Sequence, residues 1–274
     1  MPVAPFLRPL IFAAHPDDET LACGGLLQRV PAAMVVFATD GTPAGFGLER
    51  RYGSLQAYTE LRFQEASRAL RHVPSASFKW ITRTDGSYFE DMHVYEELPE
   101  AATSLRAVAQ AFSPDAIVSH TYEGGHIDHD ACSFLAMHVA EALSLRRFEF
   151  PMYWLDKSGE AVLQVFREEK PDAAAGDEME WQLSEAEIVC KRKMMAEYRT
   201  QSGTVSTFAP GVERFRLATG NRMSFSVEQC RDYMYQKRPP RFYHTRWHRL
   251  SAKALLNKFA EFEAWRAQRE TWQR

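Results

Sequence analysis

Over its first two-thirds the chain alternates between short apolar runs and longer stretches in which apolar positions recur at helical spacing. The run 9–14 (PLIFAA) reads as a buried strand, and 20–30 (TLACGGLLQRV) as the helix that follows it. A second strand is predicted at 32–39 (AAMVVFAT), ended by Asp40 and Gly41. The stretch 54–70 has helical periodicity, with Leu55, Leu61, Ala66, Ala69 and Leu70 on or near one face. A third strand at 77–82 (SFKWIT) precedes a helix at 98–112 that is entered through a proline. Ser113-Pro114-Asp115 ends that helix and leads to a fourth strand at 116–121 (AIVSHT). A glycine-containing loop at 122–127 then opens a helix over about 128–143.

This alternation predicts an α/β fold, a mostly parallel sheet flanked by helices on both faces, with a less regular C-terminal part. In such sheets ligands bind outside the carboxyl ends of the strands. Two polar segments fall there: His15 to Glu19 after the first strand, and Glu123 to Asp130 after the fourth. Beyond residue 145 the pattern weakens. Strands are predicted at 148–154 and 161–166, with antiparallel pairing open, and an acidic surface loop at 168–181. Ser184 and Glu187 form a capping box at the start of a helix over 184–201. A terminal amphipathic helix is predicted over 251–269. The organisation expected is one catalytic-type domain over 1–205, with 206–274 as an extension packed on it.

Composition narrows this only modestly. The 274 residues, 45% of them hydrophobic and 25% charged, are ordinary globular material. The net charge of −3 gives no electrostatic reason to expect nucleic acid or an anionic membrane as partner. The N-terminal run lacks the basic start of a signal peptide, and no stretch is long enough to span a bilayer, so a cytoplasmic location is expected. Cys23, Cys132, Cys190 and Cys230 are far apart and read as reduced packing residues.

The two polar segments carry the chemistry. His15 and Asp18, three residues apart on a strand-to-helix loop, can aim an imidazole and a carboxylate at one point. With His129 as a third ligand they make an N/O set that suits a catalytic zinc, which keeps its fourth position for water. Asp17, adjoining Asp18 but pointing elsewhere, suits a general base. His126, if it is not a ligand, suits an imidazolium beside a developing oxyanion, with Asp128 orienting it and favouring its charge.

AHPDDE after an N-terminal strand, with GGHIDHDA after a later one, resembles the GlcNAc-phosphatidylinositol de-N-acetylase family, the LmbE-like zinc deacetylases. The resemblance covers about 8–145, plus a helix similar to the family's lysine-to-tyrosine-glutamine segment at Lys193, Tyr198 and Gln201. It implies a Rossmann-like fold and Zn2+ held by His15, Asp18 and His129. It also implies Asp17 as base, and His126 with Asp128 as the oxyanion-stabilising pair. For substrate it implies an N-acylated sugar or conjugate, deacylated at the amide nitrogen, with Arg62 and Asp85 on sugar hydroxyls and Tyr122 near the site. A zinc-dependent hydratase or lyase acting on a small oxo-acid is the alternative for the same residues. Self-association of the chain stays open.

His244 and His248 are spaced for one helix face, but Thr245 stands where a zinc protease needs Glu, and a packing or surface role is expected. The surrounding basic, aromatic segment 237–249 is read as solvated or core-capping rather than ligand-binding.

Overall fold

The computed structural model describes residues 5–44, 46–167, 178–218, 252–269 and 272. His244, His248, the segment 237–249, Cys230 and most of the stretch read as an acidic loop lie outside the described residues.

Strand β1 (Pro9–Ala13) lies mid-sheet, parallel to β2 (Ala33–Phe37) on one side and to β4 (Ala116–His120) on the other. Strand β3 (Ala76–Trp80) extends the sheet beyond β2, and β5 (Arg146–Phe150) extends it beyond β4, both in parallel. Every residue of β1 is buried because successive side chains enter two different cores. Leu10 and Phe12 face α4 (Leu98–Phe112), α5 (Ile127–Ala142) and α8 (Ala252–Ala267). Ile11 and Ala13 face α1 (Asp18–Arg29), α3 (Leu55–Leu70) and α6 (Glu185–Glu197). Both faces are covered, as the unbroken apolar run of β1 requires.

After β1 the chain builds β2 and β3 to one side, then returns to place β4 on the other. The crevice this reversal opens at the strands' carboxyl ends is where the two polar segments emerge.

The C-terminal third differs from the sequence reading. The run 148–154 is divided at Pro151, which has no N–H to give a ladder. Its first half belongs to the parallel strand β5, while β6 (Tyr153–Leu155) turns into an antiparallel hairpin with β7 (Ala161–Leu163). The expected acidic loop ends in a strand, β8 (Glu178–Gln182), paired with β9 (Val212–Leu217). Strand β9 in turn pairs antiparallel with β5. Thus β9 lies past residue 205 yet is a strand of the same seven-stranded sheet. The capping box at Ser184 forms as expected, but α6 stops at Glu197 because Tyr198 leaves the helical region (φ −82°, ψ 63°).

Candidate metal centre and active site

The loop from β1 to α1 is wound tightly enough that Asp17, just before the helix, sits at φ 137°. A non-glycine residue held there is strained, and such strain is kept where surrounding contacts over-determine it. Asp18 Oδ2 accepts the His15 backbone N–H at 2.8 Å and lies 3.3 Å from His15 Nδ1. The same oxygen is 3.5 Å from Nε2 of His129, which the first turn of α5 brings across the crevice. Metal bonds of about 2.0–2.1 Å in tetrahedral geometry set ligand atoms roughly 3.3–3.4 Å apart, and both contacts of Asp18 Oδ2 are near that spacing.

The charge states of Asp18 and His129 fit as well. Burial works against the Asp18 charge, but His129, His120 and His15 outweigh it and hold the carboxyl well below its usual range. Burial, with His120 beside it, lowers the His129 pKa to about 3, which leaves a neutral ring with a lone pair to give.

Among the described residues three sets lie close enough to share an ion: His15, His126 and His129; Asp18, His120 and His129; and His15, Asp91 and Asp128. His120 Nε2 already accepts the Ala14 N–H at 3.0 Å, so its lone pair is committed. Its ring instead stacks on His129 at 4.0 Å and 19°, fixing the plane of that ring. Asp91 Oδ1 and Asp128 Oδ2 lie 3.2 and 3.3 Å from His15 Nε2, the ring nitrogen opposite the one facing Asp18. Carboxylates in that position orient a ligating imidazole and raise its basicity. Burial opposes charge on His15, but Asp91, Asp128 and Asp18 hold its pKa well above the usual value.

Asp128 was expected to orient His126. Its carboxylate instead bonds the Met92 N–H at 2.5 Å and His15. It is the backbone N–H of Asp128 that meets His126, donating to Nδ1 at 3.2 Å as a helix cap. That bond places the proton of His126 on Nε2. Nor is His126 an imidazolium: burial first, then His15 and His129, lower its pKa to about 3, outweighing Asp128. The ring lines the cavity as a neutral donor.

Asp17 is buried beside the centre, its Oδ2 3.5 Å from the Arg62 guanidinium. Burial raises its pKa to about 7, against Arg62 and with Asp18, near the value that serves a base at neutral pH. The Arg62 guanidinium also donates to the Pro16 carbonyl. Behind the loop the buried Glu19 accepts the Asp17 N–H at 3.0 Å and the Tyr198 hydroxyl at 2.5 Å. A cavity of about 580 Å³ opens over these groups, lined by His15, Asp17, Asp18, Arg62, His126 and His129 among others.

Two expected substrate residues are elsewhere. Asp85 is exposed at a turn tip, where its Oδ1 accepts the N–H and hydroxyl of Ser87. The aspartate after β3 that reaches the cavity is Asp91, held there by its N–H to Asp40 Oδ1 at 3.1 Å. Tyr122 points away, into the core under α8, 6.2 Å from Phe259. Tyr153 lines the cavity instead, 5.2 Å from His129. In the third segment Lys193 is exposed, whereas Lys191 is buried and paired with Glu213 at 2.7 Å. Gly41 borders the cavity at φ 64°, where a Cβ would stand 2.9 Å from Pro16.

Sequence reasoning therefore missed Asp91, His120 and Tyr153. For His120 a signal existed, since it ends the predicted fourth strand on the ligand-bearing edge.

Residues 10–140 match the family model described as GlcNAc-PI de-N-acetylase. Among solved structures, the chain is similar to teicoplanin deacetylase in its zinc-inhibited form. That match has 16% identity over 79% of this chain and 100% of the other, at a TM-score of 0.57. A40926 pseudoaglycone deacetylase is similar at 17% identity, over 78% and 99%, with a TM-score of 0.57. The N,N'-diacetylchitobiose deacetylase from Pyrococcus horikoshii is similar at 14%, over 79% and 85%, with a TM-score of 0.52. At these identities the likeness establishes the fold. Comparison with curated proteins finds no match. No helix among the described residues is long and apolar enough to cross a membrane.

Proposed function

We propose, from the match of residues 10–140 to the GlcNAc-PI de-N-acetylase family model, that the chain is a zinc-dependent amide hydrolase. Its substrate would be an N-acylated sugar or sugar conjugate, and the products a carboxylate and a free amine. One observation carries the reading. Asp18 Oδ2 stands within 3.5 Å of nitrogens from both His15 and His129, with Asp17 and His126 lining the same cavity.

His15 Nδ1, Asp18 Oδ2 and His129 Nε2 would hold the ion. Zinc, when bound, supplies the Lewis acidity that acidifies a water and polarises an amide carbonyl. Asp17 takes the proton from the attacking water as its oxygen bonds the carbonyl carbon. The Nε2–H of His126 donates to the carbonyl oxygen as negative charge grows on it, a role a neutral ring can fill. The proton on Asp17 then passes to the amide nitrogen as the C–N bond breaks. Arg62, fastened to Pro16 and facing Asp17, holds the base in place.

The test is carboxylate release from a panel of N-acetylated sugars, with Asp17→Asn beside the parent. Turnover should fall by about 10²–10⁴-fold while bound zinc stays at the parental level. Unchanged turnover in a zinc-replete variant would remove Asp17 from the mechanism.

A further inference from the structure

Asp17 occupies the N-cap of α1, where an aspartate ordinarily has extended backbone and its carboxylate accepts an N–H of the first helical turn. Here it does neither. At φ 137° and ψ −32° its side chain makes no capping bond, while Thr20 and Leu21 donate their N–H groups to the Asp17 carbonyl at 3.0 and 2.9 Å. The carboxylate that a cap would have consumed lines the cavity and faces Arg62. The unfavourable backbone thus turns Asp17 from a cap into a group available for proton transfer, and surrounding contacts must hold it there. Glu19 makes the first of them. Its side chain folds back over the turn, so that Oε2 accepts the Asp17 N–H at 3.0 Å. Oε1 accepts the hydroxyls of Thr20 and Tyr198, both at 2.5 Å. Glu19 is fully buried and Tyr198 nearly so, which leaves no solvent to take over these bonds. Two residues beyond Tyr198, Thr200 donates its N–H and its hydroxyl to Glu65 on α3, and Arg62 of the same helix reaches the Thr200 hydroxyl at 3.5 Å. The turn after α6 therefore braces both neighbours of Asp17: Glu19 at its N–H and Arg62 at its carboxylate.

We propose that Glu19 is a positioning residue for the reaction. By accepting the Asp17 N–H it keeps the base in the conformation that presents its carboxylate to the attacking water, and Tyr198 in turn fixes Glu19. The inference rests on the reading of Asp17 as base, and adds the residue through which that base is set. What Glu19 contributes is an acceptor at a fixed place. Glu19→Met keeps the volume and removes the acceptor, so the Asp17 N–H is left buried without a partner. In Glu19→Gln the amide oxygen can still take that N–H, while the amide nitrogen donates to the two hydroxyl oxygens.

The test is a double-mutant cycle with Asp17→Asn, read as amine release from N-acetylglucosamine and N,N'-diacetylchitobiose by zinc-replete protein. Misplacing a reacting group by about 1 Å costs about 10²-fold, so kcat in Glu19→Met should fall by about that factor, with KM and bound zinc close to parental. Glu19→Gln should restore kcat to within about threefold of the parent, because the acceptor is back. In the Asp17→Asn background Glu19→Met should lower kcat by no more than about threefold, since the group it positions is already gone. Tyr198→Phe, expected to cost about tenfold for one lost hydrogen bond to a carboxylate, runs through the same cycle should Glu19→Met not fold. A readout apart from turnover is hydrogen exchange of the Asp17 amide in metal-free protein: protection should be lost in Glu19→Met and kept in Glu19→Gln. An equal loss of kcat with and without the Asp17 carboxylate marks a general structural effect and overturns the inference, as does Glu19→Gln no better than Glu19→Met, or Glu19→Met at parental kcat. In each of those cases a low kcat in Asp17→Asn leaves the base reading standing. Parental turnover in Asp17→Asn, or no amine from either sugar with the parent protein, overturns both.

Discussion

Replacing the two carboxylates behind His15 separates a metal-orienting role from a proton-transfer role. Asp91 Oδ1 and Asp128 Oδ2 approach the same ring nitrogen at 3.2 and 3.3 Å, so neither dominates. In Asp128→Asn the new side-chain oxygen can keep both the Met92 N–H and the His15 contact, and only the charge is lost. Its amide nitrogen would occupy the place of Oδ1, which is buried without a hydrogen-bond partner, at a cost of about 1–3 kcal/mol in stability. Removing a carboxylate that orients a metal-bound histidine weakens metal affinity by about 10–100-fold. Each single Asn variant retains the other carboxylate and should sit near the low end, about tenfold. Asp91→Asn/Asp128→Asn should reach about a hundredfold, or about 2.7 kcal/mol. Zinc dissociation constants from competition with a chromophoric chelator read this directly. At saturating zinc, turnover should fall much less than affinity. If the double variant binds zinc within about threefold of the parent and loses turnover instead, the carboxylates act on His126 or the substrate and the assignment here is wrong.

Three other outcomes follow from the packing. Lys191 and Glu213 form a buried pair, and Glu213 also accepts the N–H groups of Gly25 and Leu26 at 2.6 and 2.8 Å, which ties α6 and β9 to the helix carrying Asp18. Lys191→Met leaves that carboxylate uncompensated and should cost about 3–5 kcal/mol in urea denaturation; a loss under about 1 kcal/mol would refute the pairing. A Cβ at Gly125 would lie 1.9 Å from the Tyr153 carbonyl oxygen, so Gly125→Ala must displace the β6 hairpin or the loop before His126, lowering both Tm and activity. Equal Tm and activity would show that the two segments do not meet. Glu187, with a pKa lowered to about 2 by its bonds to Arg29 and Ser184, stabilises the fold above its ordinary pKa of 4.5, and that contribution disappears as pH falls toward 2. Glu187→Gln keeps the cap but not the charge. It should cost about 1 kcal/mol at pH 7, after allowance for solvent screening, and nothing at pH 2; a pH-independent difference contradicts the charge account.

The residues proposed to hold the metal could be picked out from the chain because their placement is local. His15 and Asp18 share one loop, His129 opens one helix, and the apolar alternation around them dictates two strands whose ends must adjoin. The clustering of His15, Asp17, Asp18 and His129 and the parallel half of the sheet follow from short-range spacing and the burial of both sheet faces. Asp85 and Asp91 show where such reading stops. Both are aspartates shortly after β3, and the spacing alone does not separate them. The choice is made by the bridge between Thr82 and Tyr88, which folds Asp85 into a turn, and by the Asp40 carboxylate, which receives Asp91 across 51 residues of chain. The partners of Glu19, His120 and Lys191 likewise lie 179, 106 and 22 residues away. A buried polar group must find a partner wherever the folded backbone brings one, and side-chain periodicity carries no record of which.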